Sequence, residues 1–185
     1  MVSSSEMYIK SMNAREKQDL YIRQKPVELE RLVEIARVQS TEYSNKIEGI
    51  VTTSSRIKQL MEDKTTPRNR DENEIMGYRD VLNTIHESHD FIPVRPTYIL
   101  QLHRDLLKRA GLSYGGHFKN VQNYINETRP DGSQFTRFTP VAPYETEAAI
   151  EAICASYEQT LSVEAVDPLI LIPAFICDFL CIHPF

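Results

Sequence analysis

The residues best suited to chemistry lie at the end of the chain. Cys181-Ile182-His183-Pro184-Phe185 sets an imidazole between an apolar run and a proline. Proline cannot easily continue a helix, and it biases the preceding residue away from helical geometry. His183 is therefore expected where a buried helix breaks into a loop, fixed on a rigid element yet open to solvent. That placement suits a general base near neutral pH. Far upstream, Ser44 and Glu48 are four apart, so both can face one side of a helix, with Gly49 as its stop. Taken alone, these residues also fit a histidine without a role and a solvated glutamate before a glycine cap. Cys177, Cys181 and His183 form a third set with soft zinc-type ligands. A structural zinc site needs four ligands, however, and Cys154 falls on a different predicted helix. The thiols read as buried apolar groups, and no metal site is assigned. His86, His89, His103 and His117 show no ligand spacing and read as surface or core residues.

The elements that must position these groups are mostly helical. Leu29, Leu32, Val33 and Ala36 follow Pro26 at helical spacing and predict a helix from about Val27 to Ile47. A short helix is expected from about Ser54 to Glu62, capped by Thr53 or Ser54. The next begins near Asp71 as cap, carries Ile75, Tyr78, Leu82 and Ile85, and ends by His89 to Pro93. Pro96 opens another, closed by Gly111. Between Tyr114 and Pro140 the period changes. Val121 to Ile125 and Gln134 to Thr139 read as strands joined by a type I turn at Arg129-Pro130-Asp131-Gly132. Helices return at about Tyr144 to Leu161 and from Asp167, as N-cap, to Ile182. Apolar residues surround the last helix, which predicts a central buried element, with Pro173 as a candidate kink. The fold class is mainly α with one β-hairpin.

Composition sets the outer limits. The chain has 185 residues, 41% apolar and 25% charged, with formal net charge -5. It suits one compact domain, or one with a short helical extension. The mildly acidic balance gives no global attraction to nucleic acid. The longest apolar run is too short for a membrane span, which needs about 20 residues. Three cysteines in apolar helical sequence do not read as a secreted disulfide framework, and the N-terminus lacks a signal-peptide pattern. Neither nucleic acid nor membrane is an expected partner, and the expected location is cytoplasmic.

Three stretches resemble one family. The run DPLILIPAFICDFLCIHPF, Asp167 to Phe185, is similar to the segment entering the Fic signature HPFxxGNGRxxR, with His183-Pro184-Phe185 at its first three positions. Ser44-Asn45-Lys46-Ile47-Glu48-Gly49 fits that family's inhibitory motif, [S/T]xxxE[G/N]. Leu102 to Leu107, Gly116 to Ile125, Phe138-Thr139-Pro140 and Pro143 resemble its leading helix, flap hairpin and return. The matches run in family order from about Thr41 to Phe185.

The resemblance implies a Fic-like helical bundle with a hairpin flap. Residues 1–63 would form an N-terminal helical region carrying the inhibitory motif. Residues 64–185 would form a Fic core incomplete after the start of its catalytic loop. It further implies a protein adenylyltransferase, moving AMP from ATP to a Ser, Thr or Tyr hydroxyl of a target protein. His183 would be the catalytic base, and ATP and Mg the cofactors of the complete protein. Asn123, Tyr124 and Ile125 in the flap would position the target. Ser44, Glu48 and Gly49 would hold the enzyme in check, since a carboxylate in the γ-phosphate site repels the triphosphate. The chain stops before the signature's GNGR loop and its acidic position, so it is expected to be inactive alone. Relatives on this scaffold also remove AMP or transfer phosphoryl or phosphocholine groups. The alternative is a non-catalytic interaction module, whose exposed apolar surface would be covered by a partner or in a homodimer.

Overall fold

The computed structural model describes residue 17 and residues 26–47, 49–50, 52–163 and 166–185. Its elements are α1 (Pro26–Ile47), α2 (Ser54–Met61), α3 (Arg70–Ser88), a 3₁₀ turn (His89–Phe91), α4 (Pro96–Lys108), β1 (Ile125–Thr128), β2 (Gln134–Phe138), α5 (Pro143–Ser162) and α6 (Pro168–Ile182). This is the mainly helical fold with one antiparallel hairpin that the sequence pattern predicts. The chain divides into two compact units, with the boundary between Leu82 and Asn83 inside α3.

In the first unit, α1 ends in a glycine cap. The Ile50 N–H donates to Asn45 O at 2.9 Å, the Gly49 N–H donates to Lys46 O at 3.1 Å, and Gly49 takes φ +80°. Both bonds close a Schellman motif, which needs a residue in left-handed geometry and so favours glycine. Thr53 caps α2 as expected, accepting from the Arg56 N–H. Asp71 is not the cap of α3. Asn69 accepts from the Glu72 N–H at 2.9 Å, and Asp71 lies in the first turn. Ile57, Leu60, Ile75 and Met76 form the core, with Val38, Ile50 and Met61 against it.

One ion pair joins α2 to α3. Arg56 donates to Glu72 through Nε (2.8 Å) and Nη2 (2.7 Å), and both side chains are buried. Thr65 Oγ1, Thr66 O and the Arg68 N–H complete their hydrogen bonds. The Arg56 hydrogen bonds hold the Glu72 carboxyl down from 4.5 to about 2, against the opposing effect of burial. A carboxyl depressed in the folded state stabilises the fold above its unfolded pKa and loses that contribution as pH falls through the folded one. The melting temperature is therefore expected to fall between pH 4.5 and about 2 more steeply in the wild type than in Glu72→Gln. Parallel slopes in thermal melts across that range would refute this role.

The second unit packs α4 and α6 against α5. Ile150, Cys154 and Ile182 are its buried centre, with Ile99, Phe118, Phe175 and Phe179 among the partly buried residues around them. Pro96 and Pro143 stand at the first positions of α4 and α5, and Asp167 caps α6 by accepting from the Leu169 N–H at 2.8 Å. Pro173 lies inside α6.

The α6 helix is not buried all round. Leu171 and Ile182 are buried and Phe175 and Phe179 half-buried, whereas Leu169, Ile170, Ile172, Ile176 and Leu180 are exposed. Only one stripe of the helix has a packing partner among the described residues. Cys177 and Cys181 lie on the outward side and are exposed, so of the three thiols only Cys154 is buried.

The first strand also begins later than predicted. It starts at Ile125 and runs to Thr128, and the Gln122 and Asn123 side chains tie the segment before it to other parts of the chain. Gln122 donates to Pro140 O, and Asn123 to the main-chain oxygen of Phe185. The register pairs Ile125 with Phe138, Asn126 with Thr136, Glu127 with Phe135 and Thr128 with Gln134, leaving Arg137 as a bulge. The predicted turn is present, with the Gly132 N–H donating to Arg129 O at 2.9 Å. Arg137 pairs with Glu127, and the Arg129 guanidinium lies 4.4 Å above the Phe135 ring.

Candidate active site

Helix α6 ends at Ile182, and His183 caps it with φ +50° and ψ +67°. Pro184 forbids helical continuation, and the left-handed conformation turns the chain sharply. The His183 N–H still donates to Phe179 O at 3.0 Å, so its backbone remains tied to the helix. The imidazole is half-buried, next to a buried Pro184. Among the described non-glycine residues, only His183 and Asp63 have positive φ. Such geometry is disfavoured for residues with a Cβ and persists where surrounding contacts enforce it.

Those contacts come from the loop before β1. The Lys119 N–H donates to Pro184 O at 2.8 Å, and Lys119 Nζ donates to Ile182 O at 2.8 Å. Asn123 Nδ2 donates to the main-chain oxygen of Phe185 at 2.9 Å. The Phe185 ring stacks on His103 at 3.6 Å between centroids and packs near Phe118 and Phe179 at 6.0 and 6.3 Å. The two pairs with Phe118 and Phe179 are at separations where aromatic contacts contribute beyond their buried area.

The loop lies close to α4 because of two glycines. A Cβ on Gly116 would come within 2.9 Å of Arg104 Cβ, and one on Gly115 within 3.2 Å of the Arg104 Cα. Gly116 also takes φ +84°, and its N–H donates to His103 Nδ1 at 3.3 Å. Burial, with a smaller contribution from nearby His117, keeps the His103 pKa below its ordinary value. Burial alone lowers that of Lys119. His103, Tyr114, His117, Lys119, Asn123 and Phe185 line a cleft of about 330 Å³.

The residues singled out from sequence fall into both units. His183 and the flap residues Asn123, Tyr124 and Ile125 belong to the second. Asn123 faces the His183–Phe185 segment, while Tyr124 and Ile125 are exposed. Ser44 and Gly49 belong to the first unit, and Glu48 lies outside the described residues. Ser44 Oγ is 3.1 Å from the Tyr78 hydroxyl, which also lies 3.2 Å from Ser40 Oγ, so one phenol ties two turns of α1 to α3. Sequence reasoning passed over Lys119 and the His103–Phe185 stack. Their partners lie 63 and 82 positions away, and no spacing rule reaches that far. Among the described residues, no group of three or more His, Cys, Asp or Glu could hold a metal ion. None of their helices is long and apolar enough to cross a membrane.

No curated protein matches the chain. Among solved structures, a Fic domain containing signaling protein from Bacteroides thetaiotaomicron shares the fold, with a TM-score of 0.74 at 23% identity. The alignment covers 87% of this chain but 60% of that one, so this chain spans less than two thirds of its relative's length. The family model described as Fic/DOC family matches residues 93–185, the stretch that contains the flap, the Lys119 loop and His183, and the chain belongs to the Fic/DOC family.

Proposed function

We propose that His183 is the base of a protein adenylyltransferase and that this chain supplies the base-bearing side of its active site. Family membership supports phosphate-transfer chemistry of the AMPylation type. The observation that carries the finer reading is the presentation of His183: a left-handed helix cap on a buried proline, braced from two sides, with its ring half open to solvent. In the reaction, His183 takes the proton of a target Ser, Thr or Tyr hydroxyl as that oxygen bonds to the α-phosphorus of ATP. The bond between the α-phosphorus and the bridging oxygen breaks, and pyrophosphate leaves. General base assistance of this kind is worth about 10²- to 10⁴-fold.

The hairpin supports the role assigned to the flap. It is a two-stranded sheet, so each strand has an unpaired edge among the described residues. An extended target segment can add to such an edge through main-chain hydrogen bonds. Tyr124 and Ile125 stand exposed at the start of β1 to meet it. ATP and Mg²⁺ are required by this chemistry. The family signature would hold them at positions after its HPF.

Glu48 is the proposed brake. Its carboxylate would compete with the γ-phosphate for space and for a positive partner. The test is transfer of label from [α-³²P]ATP to protein by the product of the whole gene, in wild type and Glu48→Gly. The variant is expected to label about tenfold more, the equivalent of about 1.4 kcal/mol of relieved repulsion. Equal labelling would remove Glu48 from the inhibitory role. Label from [γ-³²P]ATP in place of [α-³²P]ATP would replace adenylyl with phosphoryl transfer.

A further inference from the structure

We propose that Lys119 is a positioning residue that holds His183 in its left-handed backbone conformation. One residue reaches both sides of the histidine: its N–H binds Pro184 O and its ammonium binds Ile182 O, each at 2.8 Å. The Ile182 carbonyl belongs to the last turn of α6, where carbonyls lack helical partners and the helix end carries partial negative charge. A cation there satisfies the acceptor and the field together. The main-chain bond to Pro184 meanwhile holds the far side of the turn. With the carbonyls of Ile182 and Pro184, the residues on either side, both held, His183 has little freedom to relax to the more favourable negative φ.

Two neighbouring features hold Lys119 in place. Gly115 and Gly116 let the loop lie on α4, and Phe118, next to Lys119, packs in the core with Ile182. The brace is therefore built from the core outward. Asn123 extends it by binding the main-chain oxygen of Phe185. The side-chain bond is the removable part, because any residue at position 119 except proline keeps the main-chain donor.

The proposal rests on His183 acting as the base, and its test separates the two ideas. Lys119→Met and Lys119→Arg are made in the whole gene product, and Lys119→Gln replaces the methionine variant if that one fails to fold. The ¹³Cα and ¹³Cβ shifts of His183, assigned by their loss in His183→Ala, report its backbone conformation without any need for activity. In Lys119→Met they are expected to move toward values for negative φ, while Lys119→Arg retains the wild-type shifts. A misplaced base costs rate and not substrate binding, so kcat is expected to fall about ten- to a hundredfold with KM for ATP unchanged. Arginine, with donors and charge retained, restores most of it. Unmoved shifts in Lys119→Met, or a change confined to KM, would overturn the positioning role. Full activity in His183→Ala would overturn the base assignment, and the shifts would still decide whether Lys119 sets the backbone.

Discussion

His183→Ala is expected to lower label transfer from [α-³²P]ATP by about 10²- to 10⁴-fold, the usual worth of a positioned general base. The fold should survive the change. Position 183 is half-buried, its N–H bond to Phe179 O does not involve the side chain, and among the described residues the imidazole makes no hydrogen bond that alanine would orphan. His183→Gly is the informative companion. Removing the Cβ from a residue at φ +50° relieves backbone strain, so this variant is expected to melt no lower than wild type while labelling equally poorly. Loss of transfer with an intact melting transition in both variants separates chemistry from structure. Transfer within tenfold of wild type in either would rule out His183 as the base.

Ile150→Ala should produce the largest change in stability, about 2–5 kcal/mol, the range for truncating a buried isoleucine. Ile150 is 0% exposed at the centre of the second unit, in one cluster with Cys154 and Ile182. The cavity would open beside Ile182, the residue whose carbonyl Lys119 binds and which immediately precedes His183. Each kcal/mol corresponds to about 2–4 °C in melting temperature for a chain of this size. Glu151→Ala, an exposed neighbour on the same helix, is expected to stay within about 0.5 kcal/mol of wild type. Chemical denaturation followed by circular dichroism would measure both. A loss below about 1 kcal/mol for Ile150→Ala would mean that the cluster collapses around the gap and is not a rigid support for the site.

Much of the local structure was legible because its causes are local. Pro96 and Pro168 mark the first turns of two helices, Thr53 and Asp167 cap two, and Gly49 ends α1. Each signal acts within four or five residues of the backbone it governs. The Pro184 bias of His183 away from helical geometry is of the same kind, whereas the left-handed conformation it takes is held by contacts from the loop before β1. The misplaced features depend on distant partners. Gln122 and Asn123, predicted in the strand, lie before β1 and bind Pro140 and Phe185 through their side chains, contacts that no alternation pattern anticipates. Hydropathy around α6 predicts burial on every side, but the described residues cover only the stripe carrying Leu171, Phe175, Phe179 and Ile182. Cys177 and Cys181 are exposed for the same reason.

By itself, the sequence determined the helical class, the hairpin turn, the family motifs and the break in the chain at His183. These depend on short-range sterics, capping and periodicity, which residue types state directly. Tertiary structure alone decided which groups hold that break in place. Lys119, Asn123 and His103 reach the His183 segment only after α4, α5 and α6 have packed, because contacts between residues more than sixty positions apart are made by the core and not by the chain's local preferences.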